Sequence, residues 1–285
     1  MSADATAGEY RWEGERVARW LAQAQGIDRQ LAPVSDVLFA AAALASGQRV
    51  LDVGCGHGPT TRRAAHDVGP YGRITGLDIS ADMIDAAEAV EVSSQSATID
   101  WVAADVTTWE SPYAHDAVIS RFGVMFFADP VAAFSSLAAA TVPGGRLCMA
   151  VWGRRDESEL FEVPYQTAAA TLTEMGLTFD AEPSDGGPYS LSDRSHATEL
   201  LGSAGWEEVG WAPHDISMPV GGGLSPEDAG AVSLEFGPAR LITPEAPSVR
   251  EQVTDAIIDA YRGHLNADGH VVLGGRVIVI SAVRA

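Results

Sequence analysis

Short apolar runs that end in an acidic residue recur through the first half of this 285-residue chain. They are "RVLDVG" at 49–54, "RITGLDIS" at 73–80 and "IDWVAADV" at 99–106, and helical patterns separate them. The pattern at 81–94 predicts a helix that Ser80 can cap, with Met83, Ala87 and Val90 facing inward. The runs "HDAVISRFG" at 115–123 and "PGGRLCMAVW" at 143–152 continue the alternation. Alternation of strands and helices predicts an α/β fold with a doubly wound, mostly parallel sheet and right-handed crossovers.

The residues that end these strands indicate where a ligand would bind. Sheets of this kind bind ligands at the carboxyl ends of their strands. Four charged residues are predicted to lie there, each on a separate strand: Asp52, Asp78, Asp105 and Arg121. The sequence therefore predicts one binding site at this edge of the sheet.

A glycine turn, "GCGHG" at 54–58, follows the first strand. Such a turn lets the backbone approach a ligand closely. Dinucleotide sites use Gly-x-Gly-x-x-Gly, whereas the spacing here is Gly-x-Gly-x-Gly and Pro59 comes next. Asp52, directly before the turn, would repel a pyrophosphate but stabilise an ammonium group. An NAD-dependent dehydrogenase is therefore a disfavoured alternative.

The next two strands indicate the rest of the ligand. Asp78 lies 20 residues after Gly58, where a carboxylate can accept hydrogen bonds from both hydroxyls of a ribose. Asp105 could meet an adenine amine, and three apolar residues would form the walls: Ile79, Met83 and Val106. Together these features predict a ligand in which an amino acid is joined to adenosine.

The sequence resembles the class I S-adenosylmethionine-dependent methyltransferases, in particular small-molecule members such as UbiE and enzymes of secondary metabolism. "VLDVGCGHG" matches their first motif, "GLDIS" the second, "AADV" the third and "VPGGRL" the turn before the fifth strand. The resemblance implies a Rossmann-like sheet of seven strands with the last one antiparallel. It also implies S-adenosylmethionine as cofactor, S-adenosylhomocysteine as product, and no metal.

The resemblance assigns cofactor-binding roles residue by residue. Asp52 and Gly54 would lie beside the methionine part, Asp78 at the ribose and Asp105 at the adenine end. The complete set of expected cofactor-binding residues is Asp52, Gly54, Cys55, Gly56, Gly58, Asp78, Ile79, Met83, Asp105, Val106 and Arg121.

The fourth-strand segment "SRFGVMFFADP" at 120–130 departs from the family's pattern. Many small-molecule members carry Asn-Ala-x-x-His-Trp before the Asp-Pro pair. Here Met125 stands in place of the His, Phe126 in place of the Trp, and Arg121 in place of the polar residue. The segment therefore predicts an apolar floor of Met125, Phe126 and Phe127 beneath the transferred methyl group, without the family's histidine as a base.

The sequence constrains the methyl acceptor and the general base less than it constrains the cofactor. The expected substrate-binding residues are Tyr10, Trp12, Met125, Phe126 and Tyr165, and Trp20 is a further candidate for the lid. The candidates for a base are Tyr10, Tyr165, His196 and His214, none of them in a recognisable catalytic pattern. The lack of such a pattern favours an amine or an electron-rich carbon of an aromatic heterocycle over an oxygen atom. A protein that binds the cofactor without catalysis is the second alternative.

The predicted organisation has three parts. Residues 1–45 form an N-terminal helical lid, residues 46–153 the cofactor-binding core, and residues 154–285 complete the sheet. The helical pattern of the lid is predicted to break at Gly26 and Pro33. Helical insertions at 156–190 and 220–268 are expected to form a cap over the site.

Composition limits the partners. With 18 basic and 39 acidic residues, the net charge of −21 disfavours binding to nucleic acid. The two cysteines supply neither a disulfide framework nor a zinc site. The sequence has no signal-peptide pattern and no apolar run long enough to span a bilayer. We therefore expect a cytoplasmic enzyme with a small-molecule acceptor and without a membrane partner. The sequence leaves the oligomeric state open, with a homodimer as one option.

Overall fold

The computed structural model describes residues 12–181, 183–185 and 187–285. Tyr10, a predicted site residue, lies outside these ranges. Within them the chain forms a sheet of seven strands in the order β3-β2-β1-β4-β5-β7-β6. The strands are β1 (Arg49–Val53), β2 (Arg73–Asp78), β3 (Thr98–Ala103), β4 (His115–Arg121), β5 (Thr141–Trp152), β6 (Trp206–Pro219) and β7 (Val272–Arg284).

Helices cover both faces of the sheet and the end that carries the predicted site. They are α1 (Glu15–Ala22), α2 (Ala24–Gln30), α3 (Ala32–Ala42), α4 (Pro59–Val68), α5 (Ala81–Glu88), α6 (Pro130–Ala139), α7 (Glu159–Glu174), α8 (Arg194–Ser203), α9 (Pro226–Ser233), α10 (Pro238–Ile242) and α11 (Pro247–Tyr261).

The topology confirms the predicted fold class. Strands β1 to β5 pair in parallel, with β1 between β2 and β4. The last strand, β7, inserts between β5 and β6 and is antiparallel to both. Because β1, β2 and β4 are neighbours, their carboxyl ends meet at one edge of the sheet.

Local signals explain where the helices after these strands begin. Pro59 occupies the first turn of α4, where the missing N–H costs nothing. The Ser80 hydroxyl accepts from the Met83 amide at 3.4 Å and caps α5. Asp129 accepts from the Ala132 amide at 3.0 Å and caps α6. Each cap directs a helix away from the edge that carries the site.

The structure corrects two predictions of helix boundaries. The helix predicted over 81–94 ends at Glu88, and Val90, expected to face inward, is 44% exposed. The N-terminal helices were predicted to break at Gly26 and Pro33. Gly26 instead lies inside α2 and packs against the turn at 220–223. An ideal Cβ on Gly26 would lie only 2.7 Å from the backbone oxygen of Gly221, so this close contact requires a glycine. Pro33 is tolerated in the first turn of α3.

Two hydrophobic cores stabilise the fold. The main core surrounds the sheet and includes Val34, Leu38 and Phe39 of α3. The second core joins α7, α9, α10 and α11 to the start of β7. Helix α3 thus packs with the sheet, although the sequence placed it in the lid. The division of the chain at residues 45 and 153 otherwise stays a prediction.

Candidate functional site

A cavity of about 1490 Å³ opens at the carboxyl ends of β1, β2 and β4. Its walls come from the glycine turn after β1, the loops after β2 and β3, and the segment after β4. Helix α1, residues 187–191 and residues 232–241 complete it. The cavity therefore lies at the edge of the sheet that the sequence analysis predicted.

The glycine turn lets two strand ends approach each other. Gly54 has a φ of +64°, and an ideal Cβ on it would lie 2.5 Å from the Cα of Gly123. Gly54, Cys55 and Gly56 line the cavity. Gly58 does not, because its α-carbon faces the ring of Trp101. The expected contact between Gly58 and the ligand therefore stays a prediction without support from the cavity lining.

Asp52 is fully buried beneath the turn and does not line the cavity. Its Oδ2 accepts hydrogen bonds from the hydroxyls of Thr60 at 2.7 Å and Thr61 at 2.6 Å. Burial raises the pKa of Asp52 to about 6, although hydrogen bonds from Thr61 and Thr60 lower it. Its placement beside the methionine part stays a prediction that no observation tests. Its carboxylate ties the end of β1 to the first turn of α4.

Asp78 faces the cavity from the end of β2 and is half-buried. Its Oδ2 accepts from the Gly56 amide at 2.8 Å, and its Oδ1 accepts from the Ser80 amide at 2.9 Å. Burial raises the pKa of Asp78, whereas these backbone hydrogen bonds lower it. Each carboxylate oxygen can accept a second hydrogen bond. Asp78 is therefore held in place and still able to bind a pair of hydroxyls.

The residues expected at the adenine end also reach the cavity. Asp105 lies in the loop after β3 rather than in the strand, and its Oδ1 accepts from the Thr107 amide at 2.8 Å and hydroxyl at 2.7 Å. Met83 and Val106 are buried beside it, whereas Ile79 is 63% exposed. Asp105 thus lines the cavity together with apolar side chains, and its role at the adenine end stays a prediction.

Arg121, at the end of β4, makes contacts that the sequence did not indicate. Its Nη2 donates to Asp28 Oδ1 at 3.2 Å, and its Nη1 donates to the Ser35 hydroxyl at 2.9 Å. Asp28 also lies 2.8 Å from Nε2 of His57, in the glycine turn. Asp28 and His57 were both missed as site residues. The sequence offered no signal for Asp28, because no motif relates α2 to either strand end.

The segment after β4 supplies the apolar floor. Phe122 has a φ of +65°, rare for a residue with a side chain, and its ring stacks on Trp152 at 3.9 Å. The Trp152 amide donates to the sulfur of Met125 at 3.3 Å. Met125, Phe126 and Phe127 all line the cavity.

The N-terminal aromatic residues cover this floor. The ring of Trp12 lies 5.6 Å from that of Phe126 and 5.2 Å from that of Trp20. Trp20 in turn lies 5.6 Å from Phe236, which precedes α10. Further aromatic side chains that sequence reasoning missed line the cavity: Phe161, Tyr189, Phe236 and Tyr261. They come from the insertions, which carry no motif.

Two of the candidate bases lie away from the cavity. Tyr165 is buried in the second core, with the Arg155 guanidinium 3.9 Å above its ring. His214, on β6, lines a separate groove with Trp211. The cavity lining therefore gives no support to their predicted roles at the site, which stay predictions. His196 lines the cavity but is exposed at its rim.

Residues 12–181, 183–185 and 187–285 offer neither a cluster of metal ligands nor a helix that could span a membrane. No group of three or more His, Cys, Asp or Glu residues within those ranges could hold a metal ion. Within the same ranges, no helix has both the length and the apolar character to cross a membrane.

Residues 50–145 match a family model described as a methyltransferase domain. The chain is 34% identical over 103 residues to the aklanonic acid methyltransferase DauC of Streptomyces sp. strain C5, covering 36% of this chain and 47% of DauC. It is 31% identical over 141 residues to the ubiquinone/menaquinone biosynthesis C-methyltransferase UbiE of Pseudomonas paraeruginosa, covering 48% of this chain and 55% of UbiE. These matches span about half the length of the curated relatives.

Solved structures share the fold. The YcgJ protein of Bacillus subtilis aligns with a TM-score of 0.51 at 16% identity, covering 88% of this chain and 97% of YcgJ. The cyclase SpnF aligns with a TM-score of 0.52 at 20% identity, covering 88% of this chain and 80% of SpnF. The match to a methyltransferase domain over residues 50–145, the motifs and the seven-stranded topology agree with the resemblance to the class I S-adenosylmethionine-dependent methyltransferases.

Proposed function

We propose that this protein binds S-adenosylmethionine in the cavity and transfers its methyl group to a nitrogen or carbon atom of a small aromatic or heteroaromatic molecule. An oxygen atom is the alternative acceptor. One observation carries the proposal: Asp78 and the aromatic walls share one space of about 1490 Å³. Pockets for a drug-sized ligand measure about 300–1000 Å³. The cavity therefore has room for a donor and an acceptor side by side.

The residues on one side suit the cofactor. Asp78 would accept from the ribose hydroxyls, and Asp105 would lie at the adenine end. At Gly56, where an ideal Cβ would meet no atom within 4 Å, the turn leaves open space against which a ligand can lie. S-adenosylmethionine supplies an electrophilic methyl group on a sulfonium centre. The protein's own task is to orient the donor and exclude water.

The residues on the other side suit a flat acceptor. Trp12, Trp20 and Phe126 form edge-to-face contacts that leave apolar surface on the cavity wall. Aromatic faces also stabilise a nearby cation, and the Arg16 guanidinium already lies 4.5 Å from the Trp12 ring centre. Holding two reactants in line can lower a barrier by about 7–11 kcal/mol. Alignment and desolvation are therefore the main contributions proposed here.

The choice of acceptor atom rests on the candidate bases. Tyr165 and His214 lie outside the cavity, and His196 lies at its rim. An acceptor that is already nucleophilic needs no strong base, which favours nitrogen or carbon. The names of UbiE and DauC describe methyl transfer to small molecules, which supports a small-molecule acceptor, and DauC supports a role in secondary metabolism.

The first experiment measures ligand binding by calorimetry. We expect the protein to bind S-adenosylhomocysteine and not NAD. Methyl-labelled S-adenosylmethionine would then be offered with aromatic amines, phenols and electron-rich heterocycles. Phe126→Leu should reduce transfer while preserving cofactor affinity, and Tyr71→Leu, at an 88% exposed position, is the matched control. Binding of NAD alone would refute the proposal, and cofactor binding without transfer to any acceptor would indicate a catalytically silent protein.

A further inference from the structure

Two arginines of α1, Arg16 and Arg19, line the cavity from its N-terminal wall. Residues three apart lie on the same face of a helix, so both side chains approach the space from one side. Each of them is half-buried. The rings of Trp12 and Trp20, in edge-to-face contact, belong to the same wall. This wall therefore combines flat apolar surface with two cations.

Arg16 lies against the aromatic residues that the proposed function assigns to the acceptor. Its guanidinium carbon is 4.5 Å from the ring centre of Trp12 and 5.7 Å from that of Phe126. Contacts of this kind stabilise the cation and hold it beside the rings. A guanidinium donates hydrogen bonds from its edge, in one plane. A flat ligand on the same rings could therefore bring an anionic group to that edge.

Arg19 supplies the second cation, and its ion pair within the described residues is weak. Its Nη1 lies 3.5 Å from Oε2 of Glu15, whose side chain is 94% exposed. Charge-assisted hydrogen bonds are shorter, at about 2.7–2.9 Å, and exposed ion pairs contribute little. The Arg19 side chain keeps 28% of its surface exposed, so its terminal N–H groups can bind a further anion.

The acids that line this part of the cavity leave a need for that anion. Glu235, before α10, lies 3.6 Å from Arg250. Glu13 is exposed, so water screens its charge. Burying a cation costs free energy unless an anion accompanies it. A ligand with one negative charge near Arg16 and Arg19 would offset that cost.

We propose that the methyl acceptor is an aromatic acid, with its carboxylate bound by Arg16 and Arg19 and its ring against Trp12 and Phe126. Guanidinium and carboxylate match because parallel N–H groups meet two oxygens in one plane. The carboxylate anchors the molecule, and a nitrogen or carbon elsewhere on it accepts the methyl group. This inference rests on the proposed function and names its substrate class.

The test compares aromatic acids with their uncharged amides by calorimetry, on protein that already holds S-adenosylhomocysteine. The pairs are benzoate and benzamide, 2-naphthoate and 2-naphthamide, and anthracene-2-carboxylate and its amide. The members of a pair share a ring system and differ in charge. We expect at least one acid to bind more tightly than its amide by about tenfold, as for hydrogen bonds to a charged group.

Variants of the two arginines locate the cause of this preference. Arg16→Gln and Arg19→Gln should each weaken binding of that acid by about tenfold. Affinity for the amide and for S-adenosylhomocysteine should stay within about twofold, which also shows that the variants fold. Arg19→Lys keeps the charge without the planar donors and should retain part of the preference. Arg194→Gln, at an exposed position on α8 that does not line the cavity, is the matched control.

The outcomes separate this inference from the proposed function. It is overturned if no acid binds the unaltered protein more tightly than its amide, or if the preference survives in both glutamine variants. Loss of S-adenosylhomocysteine affinity in those variants would assign the arginines to the donor and also overturn it. Failure of the unaltered protein to bind S-adenosylhomocysteine would instead overturn the proposed function, and this inference with it.

Discussion

Gly54 and Gly123 bring the carboxyl ends of β1 and β4 into direct backbone contact. An ideal Cβ on Gly123 would lie 2.5 Å from the Val53 oxygen and 2.7 Å from the Cα of Gly54. Real side chains do not tolerate such distances, so the strand ends can meet only because both residues are glycine. This contact fixes how the glycine turn faces the segment that carries Arg121 and Phe122.

Gly123→Ala should therefore destabilise the protein. We expect a loss of about 1–3 kcal/mol in the free energy of unfolding, as for other overpacked sites, measured by urea denaturation. Gly202→Ala is the matched control, because this helical glycine has open space around its Cβ position. It should be neutral or slightly stabilising. A Gly123→Ala protein as stable as the wild type would show that the strand ends can separate without cost.

Asp78→Ala should weaken the binding of S-adenosylhomocysteine. The substitution removes the proposed acceptor for the ribose and also releases the amides of Gly56 and Ser80. We expect a loss of about 1.5–3 kcal/mol in binding free energy, measured by calorimetry. Asp85→Ala removes an exposed carboxylate from α5 and should leave the affinity unchanged. An unchanged affinity in Asp78→Ala would remove this residue from the site.

The elements that the sequence predicted well are those with a local cause. Neighbouring residues determine the alternation of strands and helices, the helix caps such as Ser80, and the acids at the strand ends. The order of the strands in the sheet follows from the family resemblance. These features predicted Asp78, Asp105 and Met125 as site residues, and all three line the cavity.

The features that sequence reasoning did not predict depend on contacts between separate segments. Asp28 reaches His57 and Arg121 across 29 and 93 residues of chain, and no spacing encodes such a meeting. Asp52 lies in a recognisable motif, yet the hydroxyls of Thr60 and Thr61 determine the direction of its side chain. A motif gives the position of a residue along the chain but not the side of the backbone on which it acts.

Asp52 should make stability depend on pH in an unusual direction. Its pKa rises from an ordinary value of 3.8 to about 6 in the folded protein. The folded state therefore binds a proton more tightly than the unfolded state, and this contribution to stability is present at low pH and lost as the pH rises through 6. The shift corresponds to about 3 kcal/mol at most.

Asp52→Asn removes this titration and provides the test. Urea denaturation at several values between pH 4 and 7 should show the wild type losing stability relative to the variant as the pH rises. Asp85→Asn, an exposed carboxylate, should follow the wild type. Parallel curves for Asp52→Asn and the wild type would contradict the raised pKa.

His115 should produce the opposite slope at the other end of the sheet. This fully buried residue hydrogen-bonds through Nδ1 to the Ala140 oxygen at 3.1 Å and through Nε2 to the Thr75 hydroxyl at 3.1 Å. Burial lowers its pKa below the ordinary 6.5, although the bond to Ala140 raises it. Because the unfolded chain then binds the proton more readily, stability should fall as the pH drops below about 6.5.

His115→Asn keeps a polar atom near Nδ1 but cannot titrate. At pH 7.5 it should be less stable than the wild type by about 1 kcal/mol, because the hydrogen bond to Thr75 is lost. That difference should shrink at pH 5.5, where protonation of the unfolded state penalises only the wild type. His66→Asn, at a histidine whose side chain is 83% exposed, should keep the wild-type dependence on pH. If His115→Asn and the wild type lose the same stability between pH 7.5 and 5.5, His115 is not held neutral in the fold.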